Sequence, residues 1–235
     1  MERQLDIQLA KLKKRLFKMC SLVDEQVNNA IAAVEEEDLK LAKLVIEMEK
    51  KVDQYDVKID KTCQKIFALN QPVAMDLRLI MSAISMDNNL ERIGDNAVNI
   101  AEYIIEIEKK PQFFSETKFE EMAKLVRAMI KTAIDSFIDN NADYAKKVIE
   151  MDDEHDLLDK ENQNILVGIM KKDSDNVEEG VAMLGISRMM ERLGDLATNI
   201  AEDVYFIVEA QMIKHQYEKY LFHDEQDDED ETNED

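Results

Sequence analysis

Tryptophan is absent from this 235-residue chain, and glycine, proline and cysteine are scarce at five, two and two. So few turn-forming residues leave little of the punctuation that hairpins and loop-rich sheets require. Cys20 and Cys63 lack C-x-x-C spacing and read as reduced residues packed in a core. No apolar run approaches the ~20 residues that span a bilayer, and the opening MERQLDIQL lacks the charged-then-apolar order of a signal peptide. A cytoplasmic protein with no membrane insertion is expected. Positive charge is also short, since 30 Lys and Arg against 52 Asp and Glu leave a formal net charge of −22. That surface repels nucleic-acid phosphates and anionic membranes, and suits cations or basic patches on other proteins. There is no phosphate-cradling glycine loop, no nucleophile motif and no Cys/His pair at catalytic spacing, so an enzyme is not expected.

What the chain has is helix. Hydrophobic residues make up 45% and charged residues 35%, and Leu, Met, Ala, Glu and Lys recur at steps of three and four. Leu5, Leu9, Leu12, Leu16, Met19 and Val23 form one such seam. Val45, Met48, Val52, Tyr55, Ile59, Ile66 and Leu69 form a second, starting near Asp38 and ending at Pro72. Leu90, Ile93, Ala97, Ile100, Ile104 and Ile107 form a third, stopped by Pro111. A second set follows at Met122–Phe137, Val148–Ile169 and Met190–Ile207. The fold class is therefore all-α, with six long helices in two sets of three. The first repeat is placed at residues 1–111 and the second at 112–216. Residues 217–235, running into HDEQDDEDETNED, cannot build a core and read as a disordered acidic tail. Most of the 14 methionines are core residues in this reading, while Met86 and Met189 are candidates for an exposed binding face.

The two sets are copies. ERIGDNAVNIAE at 91–102 returns as ERLGDLATNIAE at 191–202, and VIEM at 45–48 returns at 148–151. An internal duplication, each half a three-helix bundle, accounts for both. On a helical wheel Glu91, Asp95, Asn99 and Glu102 lie roughly opposite the apolar stripe, with Asp87 near the edge of that face. Glu49, Asp53 and Asp56 lie on a flank of theirs. If the second and third helices are neighbours, their acids border one outer groove. Asp152, Asp156 and Asp159 stand likewise against Glu191, Asp195 and Asn199, with Glu202 beyond.

Acids four residues apart repel, by ~0.2–0.5 kcal/mol per pair on an isolated helix. Something positive must offset two such rows side by side. Arg78, Arg92, Arg188 and Arg192 offer ordinary salt bridges. Hard cations held by carboxylates and an Asn carbonyl offer the other answer, with Mg, Mn and Ca all admissible. Gly94 and Gly194, each costing ~1 kcal/mol inside a helix, are expected where a neighbouring backbone approaches closely. His155 is expected at a solvated position among its acidic neighbours.

PVAMDLR at 72–78 and the two ERxGD-x-A-x-NIAE motifs resemble the PhoU family of phosphate-uptake regulators, over nearly the whole chain to about residue 215. The resemblance implies two three-helix bundles related by a pseudo-two-fold axis. It implies surface clusters of metal, multinuclear in some members and iron or zinc first among the choices. Carried over, the ligands are Glu49, Asp53, Glu91 and Asp95 in one half, and Asp152, Asp156, Glu191 and Asp195 in the other. Asp56, Asp87, Asn99, Glu102, Asp159, Asn199 and Glu202 form a second tier. The implied function is negative regulation of phosphate uptake and phosphate-starvation signalling. The implied partners are the ATPase subunit of a phosphate ABC transporter and a sensor histidine kinase, and a homodimer is left open. The chain departs from the pattern in three places: KKDSDNVEEG stands where a second P-x-A-x-D-L-R would fall, Ser187 replaces Asp87, and the acidic tail is additional. A metal-storing or structural bundle without partners is the first rival. A ferritin-like di-iron oxidase is the second, disfavoured because paired Glu-x-x-His motifs facing inward are absent.

Overall fold

In the computed structural model, residues 4–213 are described, so the expectation for 217–235 lies outside the described residues. Six long helices follow in order: α1 (Gln4–Glu36), α2 (Leu39–Leu69), α3 (Met75–Ile107), α4 (Phe119–Asp139), α5 (Ala142–Lys172) and α6 (Val177–Glu209). Single 3-10 turns at Phe114–Glu116 and Ser174–Asn176 interrupt the links, and no strand occurs among the described residues.

The duplication reaches the turns. Asp38 caps α2, its side chain accepting from the backbone N–H of Lys40 and Leu41, and Asn141 caps α5 in the same way through Asp143 and Tyr144. The residue directly before each cap, Glu37 and its counterpart Asn140, has a positive φ, 58° and 48° respectively. A left-handed residue ending one helix and an Asx cap starting the next fold α1 onto α2 and α4 onto α5 as tight hairpins. α3 and α6 complete each bundle.

Each seam closes inward. Leu12, Leu16, Met19 and Val23 of α1 meet Val45, Val52, Ile59 and Ile66 of α2, and Leu90, Ile93, Ala97, Ile100 and Ile104 of α3, all within one buried cluster. Burying one such aliphatic side chain stabilises by roughly 1.5–3 kcal/mol, which is why these positions fix the register of the helices.

The bundles are not separate bodies. α3 packs along α6, and α1 touches α4. Phe17 and Phe137 meet at 5.2 Å between ring centroids, and Arg127 donates twice to Glu35 at 3.0 and 2.9 Å. Tyr103 of α3 lies against Gly185 of α6, where a β-carbon would fall 2.3 Å from the ring. α3 and α6 are thus covered on two sides, within their own bundle and by each other. Both Met86 and Met189 are buried, against the expectation of an exposed face: Met86 stands one turn before Leu90 on the same apolar stripe, and Met189 lies on the wider buried arc of α6. Met189 faces a cleft it shares with Tyr103 of α3.

Within the ERIGD segment, Ile93 is fully buried and Arg92 exposed. Ile93→Ala is expected to cost roughly 2–5 kcal/mol in urea unfolding, and Arg92→Ala within about 0.5 kcal/mol of nothing. Equal losses would contradict the packing described.

Candidate metal centre

The outer seams of α2 with α3 and of α5 with α6 carry the acids. In the first repeat Glu49, Asp56, Glu91 and Asn99 are half-buried, and Asp53, Asp95 and Glu102 are exposed. In the second, Asp152, Asp156, Glu191, Asn199 and Glu202 are half-buried and Asp195 is exposed. Two acids depart from the outward direction read on the wheel: Asp87 is 2% exposed and Asp159 7%. Both stand at the margin of the apolar stripe, where the approach of the neighbouring helix closes over them.

The structure gathers one compact set. Carboxylate oxygens of Asp156, Glu191 and Asp195 all lie within 4.8 Å of one another, one from α5 and two from α6. Asp152 sits one turn before Asp156 and is held at its rim, accepting from the Thr198 hydroxyl at 3.2 Å. Among the described residues, the four acids expected to share a site in the first repeat do not close to that spacing. They still share a field, since Asp95, Asp53 and Glu91 all push on Glu49. Three second-tier residues turn elsewhere. Asn99 and Glu102 line a cleft with Tyr103 and Met189, and Glu202 lines another with Ser82 and Asp203, both where α3 meets α6.

The acids repel as they gather. Burial raises the Glu49 carboxyl to about 7, with a hydrogen bond from Gln26 pulling back and three acids adding to the rise. Glu191 rises to about 7 through burial and then Asp195, Asp159 and Asp156. Asp152 rises to about 6 through burial, opposed by Thr198. Glu91, Asp56 and Asp195 are raised as well, burial leading in each. Asp87 rises to about 8, through burial and then Asp56, Asp60 and Glu91. Countercharge is limited: Lys160 pairs with Asp156 at 3.6 Å along α5 itself, and the charges of Arg92 and Arg192 draw Glu91, Glu191 and Asp195 back only in part. Among the described residues, no ion pair joins Arg78, Arg92, Arg188 or Arg192 directly to the eight acids carried over as ligands.

A cation fits what is left. Glu49 Oε1 and Asp87 Oδ1 are buried without a hydrogen-bond partner, and an orphaned carboxylate oxygen is costly unless something positive meets it. Oxygen donors in this number match hard divalent cations and suit borderline ones. Asp156, Glu191 and Asp195 would hold a cation in the second repeat, with Glu49, Asp53, Glu91 and Asp95 as its counterparts in the first.

The motif glycines serve side chains, not the neighbouring backbone that the sequence suggests. A β-carbon on Gly94 would stand 3.1 Å from both Gln26 Oε1 and Glu49 Oε2. On Gly194 it would stand 2.6 Å from His155 Nδ1. Each glycine makes room for one polar group from across the seam. His155 is therefore not solvated; it is 0% exposed. Burial pushes its imidazole below the usual range, while Asp159 and Asp156 pull the other way.

Sequence reasoning missed Gln26, which donates to Glu49 Oε2 at 2.7 Å and to the carbonyl of Val45 at 3.2 Å. Its signal was a polar residue on the apolar face of α1, between Val23 and Ala30. It also missed how the Asp87-to-Ser187 change resolves. Ser187 donates to Asp159 Oδ1 at 2.8 Å and accepts from Asn162 at 3.0 Å, so the second repeat replaces a repelled carboxylate with a satisfied hydroxyl.

The model of the PhoU domain matches twice, at residues 16–104 and 119–204. A phosphate-specific transport system accessory protein PhoU homolog of Aquifex aeolicus is 34% identical over 212 residues, 90% of this chain and 96% of that protein. One from Clostridium acetobutylicum is 30% identical over 206 residues, 87% of this chain and 94% of that one. The crystal structure of PhoU from Pseudomonas aeruginosa superposes with a TM-score of 0.85 at 33% identity, over 88% of this chain and all 100% of the other. The phosphate transport system regulatory protein PhoU from Streptococcus pneumoniae gives 0.80 at 27% identity, over 89% and 99%.

The raised carboxyls fix a pH dependence. Unfolded carboxylates titrate near ~4, so above that pH the folded, cation-free chain binds more protons than the unfolded one. Stability then falls as pH rises, through the folded values of about 6 to 8 for Asp152, Glu49, Glu191 and Asp87. In chelator, the thermal midpoint is expected to be lower at pH 8.5 than at pH 5.5. Asp87→Asn should raise it at pH 8.5 and change it little at pH 5.5. A midpoint that rises with pH, or an Asp87→Asn effect equal at both values, would contradict this electrostatic account.

Proposed function

The chain belongs to the PhoU family, and on that premise we propose that it is a negative regulator of phosphate uptake and phosphate-starvation signalling. It acts without catalysis, as a cytoplasmic adaptor between the ATPase subunit of a phosphate ABC transporter and a sensor histidine kinase. The observation that carries this reading is the family match over both repeats, to relatives that are named as accessory proteins of phosphate-specific transport systems. Two further features agree with it. No helix among the described residues is long and apolar enough to cross a membrane, so these helices can meet a transporter only outside the bilayer. The acidic surface suits basic faces on partners.

In the same reading the acid rows hold metal ions, iron or zinc first. A bound cation would neutralise the rows, and the chain's part is to hold the carboxylates in place. Glu49, Asp53, Glu91 and Asp95 do so in one repeat, and Asp152, Asp156, Glu191 and Asp195 in the other. Gln26 and Thr198 position the leading acid of each row by hydrogen bonding. The observation that supports this half is the Asp156, Glu191 and Asp195 set, drawn together with Lys160 as its single ion-pair partner.

Deletion of the gene is expected to raise phosphate uptake and starvation-gene expression in phosphate-rich medium; unchanged levels would overturn the regulatory reading. Elemental analysis is expected to find bound metal in the wild type and to find it lost when all eight acids become Gln or Asn. Helix content should stay nearly constant, because Gln and Asn keep the size of the acids they replace and the apolar cluster that holds the helices is unchanged. Equal metal in both proteins would remove the coordination role.

A further inference from the structure

In the first repeat a carboxylate, Glu49, lies against the motif glycine; in the second an imidazole does. His155 follows Val52 by the same 103 residues that separate the two VIEM segments. Val52 is fully buried at its position in α2, so packing at this place is met by an aliphatic side chain and does not call for a histidine. Yet His155 is 0% exposed, and neither Nδ1 nor Nε2 has a hydrogen-bond partner. A buried polar group left unpaired costs roughly 1–3 kcal/mol, and two such nitrogens on one ring are rare in a folded core.

The ring's surroundings point to what meets it. Its Nδ1 lies over Gly194, which sits between Glu191 and Asp195 on α6. On α5, His155, Asp159, Asp152 and Asp156 occupy an arc of about 100° at the helical period, so the imidazole borders the same row as the acids. Oxygens of Asp156, Glu191 and Asp195 lie within 4.8 Å of one another, on residues adjoining His155 in sequence or flanking the glycine beneath its ring. The ring nitrogens stand outside that spacing, so ligation requires the imidazole and the acids to close on the ion.

We propose that His155 is a nitrogen ligand to the cation held by Asp156, Glu191 and Asp195, which makes the second repeat selective for borderline divalent ions such as Zn2+, Fe2+ or Cu2+. This rests on the metal-binding reading of the acid rows. The first repeat has Val52 at the equivalent position and an additional carboxylate at Asp87, so its donors are oxygen and it favours harder ions. Imidazole binds the borderline ions better than the hard ones, and oxygen sets do the reverse. One chain then presents two cation sites of different chemistry, built by a single substitution on each of two equivalent helices.

The test uses Cu2+ as the probe on the full chain, with His215→Gln and His223→Gln removing the other imidazoles. Pulsed electron paramagnetic resonance reads nitrogen couplings directly. One imidazole coupling is expected in this background, lost in His155→Val, the residue that the first repeat carries. Cu2+ affinity should fall by at least the roughly 10- to 100-fold that even an outer-shell loss costs a metal site, and Mn2+ affinity should change less. Glu191→Gln with Asp195→Asn should remove the coupling as well. Cu2+ bound with no nitrogen coupling would overturn the role of His155 and leave the carboxylate sites standing. A coupling that survives the Glu191 and Asp195 changes would overturn it too, by placing the copper elsewhere. No divalent binding at all would take down both this inference and the reading beneath it.

Discussion

Repulsion between carboxylates is the constraint to which the rest of this structure answers. α2 and α3, and again α5 and α6, bring acidic rows side by side at a seam that water only partly reaches. Partial burial removes the solvent that screens like charges, so each acid raises its neighbours and the protons are held to higher pH. Ordinary proteins relieve such a row with lysine or arginine. Here the relief comes from an ion pair of Lys160 with Asp156 on the same helix, from the charges of Arg92 and Arg192 near Glu91, Glu191 and Asp195, and from hydrogen bonds of Gln26, Thr198 and Ser187. The arrangement is costly as it stands, and a cation held between the rows would offset that cost.

The three-helix repeats exist in this form because the apolar seams outweigh that cost. Fully buried side chains such as Leu12, Ile59, Ile93 and Ile100 each contribute on the order of 1.5–3 kcal/mol, more than any one pair of half-exposed acids subtracts. The seams fix the register of α3 on α2 and so hold the acids in place whatever their charge. The two repeats share that frame and differ in what fills it. Glu49 and Gln26 occupy the space over Gly94, and His155 the space over Gly194. Asp87 is a buried, repelled acid, where Ser187 is a hydroxyl paired with Asp159 and Asn162. Duplication supplied the scaffold, and a few substitutions gave its halves different polar groups at the seam.

Much of this was legible in the residues. Steps of three and four marked all six helices, Asp38 marked the start of α2, and the paired motifs announced the repeat before any coordinates. What escaped is what a single-helix wheel leaves out. The wheel of α6 has one apolar stripe, but α3 covers a second side, and Met189 is inside for that reason; Met86 lies on the stripe of α3 itself, one turn before Leu90. His155 looked solvated because Asp152, Asp153, Glu154 and Asp156 surround it in sequence. Setting it 103 residues after Val52 would have put it at a core position, since a repeat carries burial as well as identity. Gly94 and Gly194 were correctly read as sites of close approach, but the approaching groups were side chains, which sequence spacing alone does not reveal.

The account is tested most directly by crystals of the chain grown with Zn2+ and with Mn2+, and diffraction measured across each metal's absorption edge. Anomalous density is expected against Asp156, Glu191 and Asp195 in one repeat and against the Glu49, Asp53, Glu91 and Asp95 row in the other, with those carboxylates as ligands. Lysine or arginine side chains folded into both rows, with no anomalous density there, would contradict it.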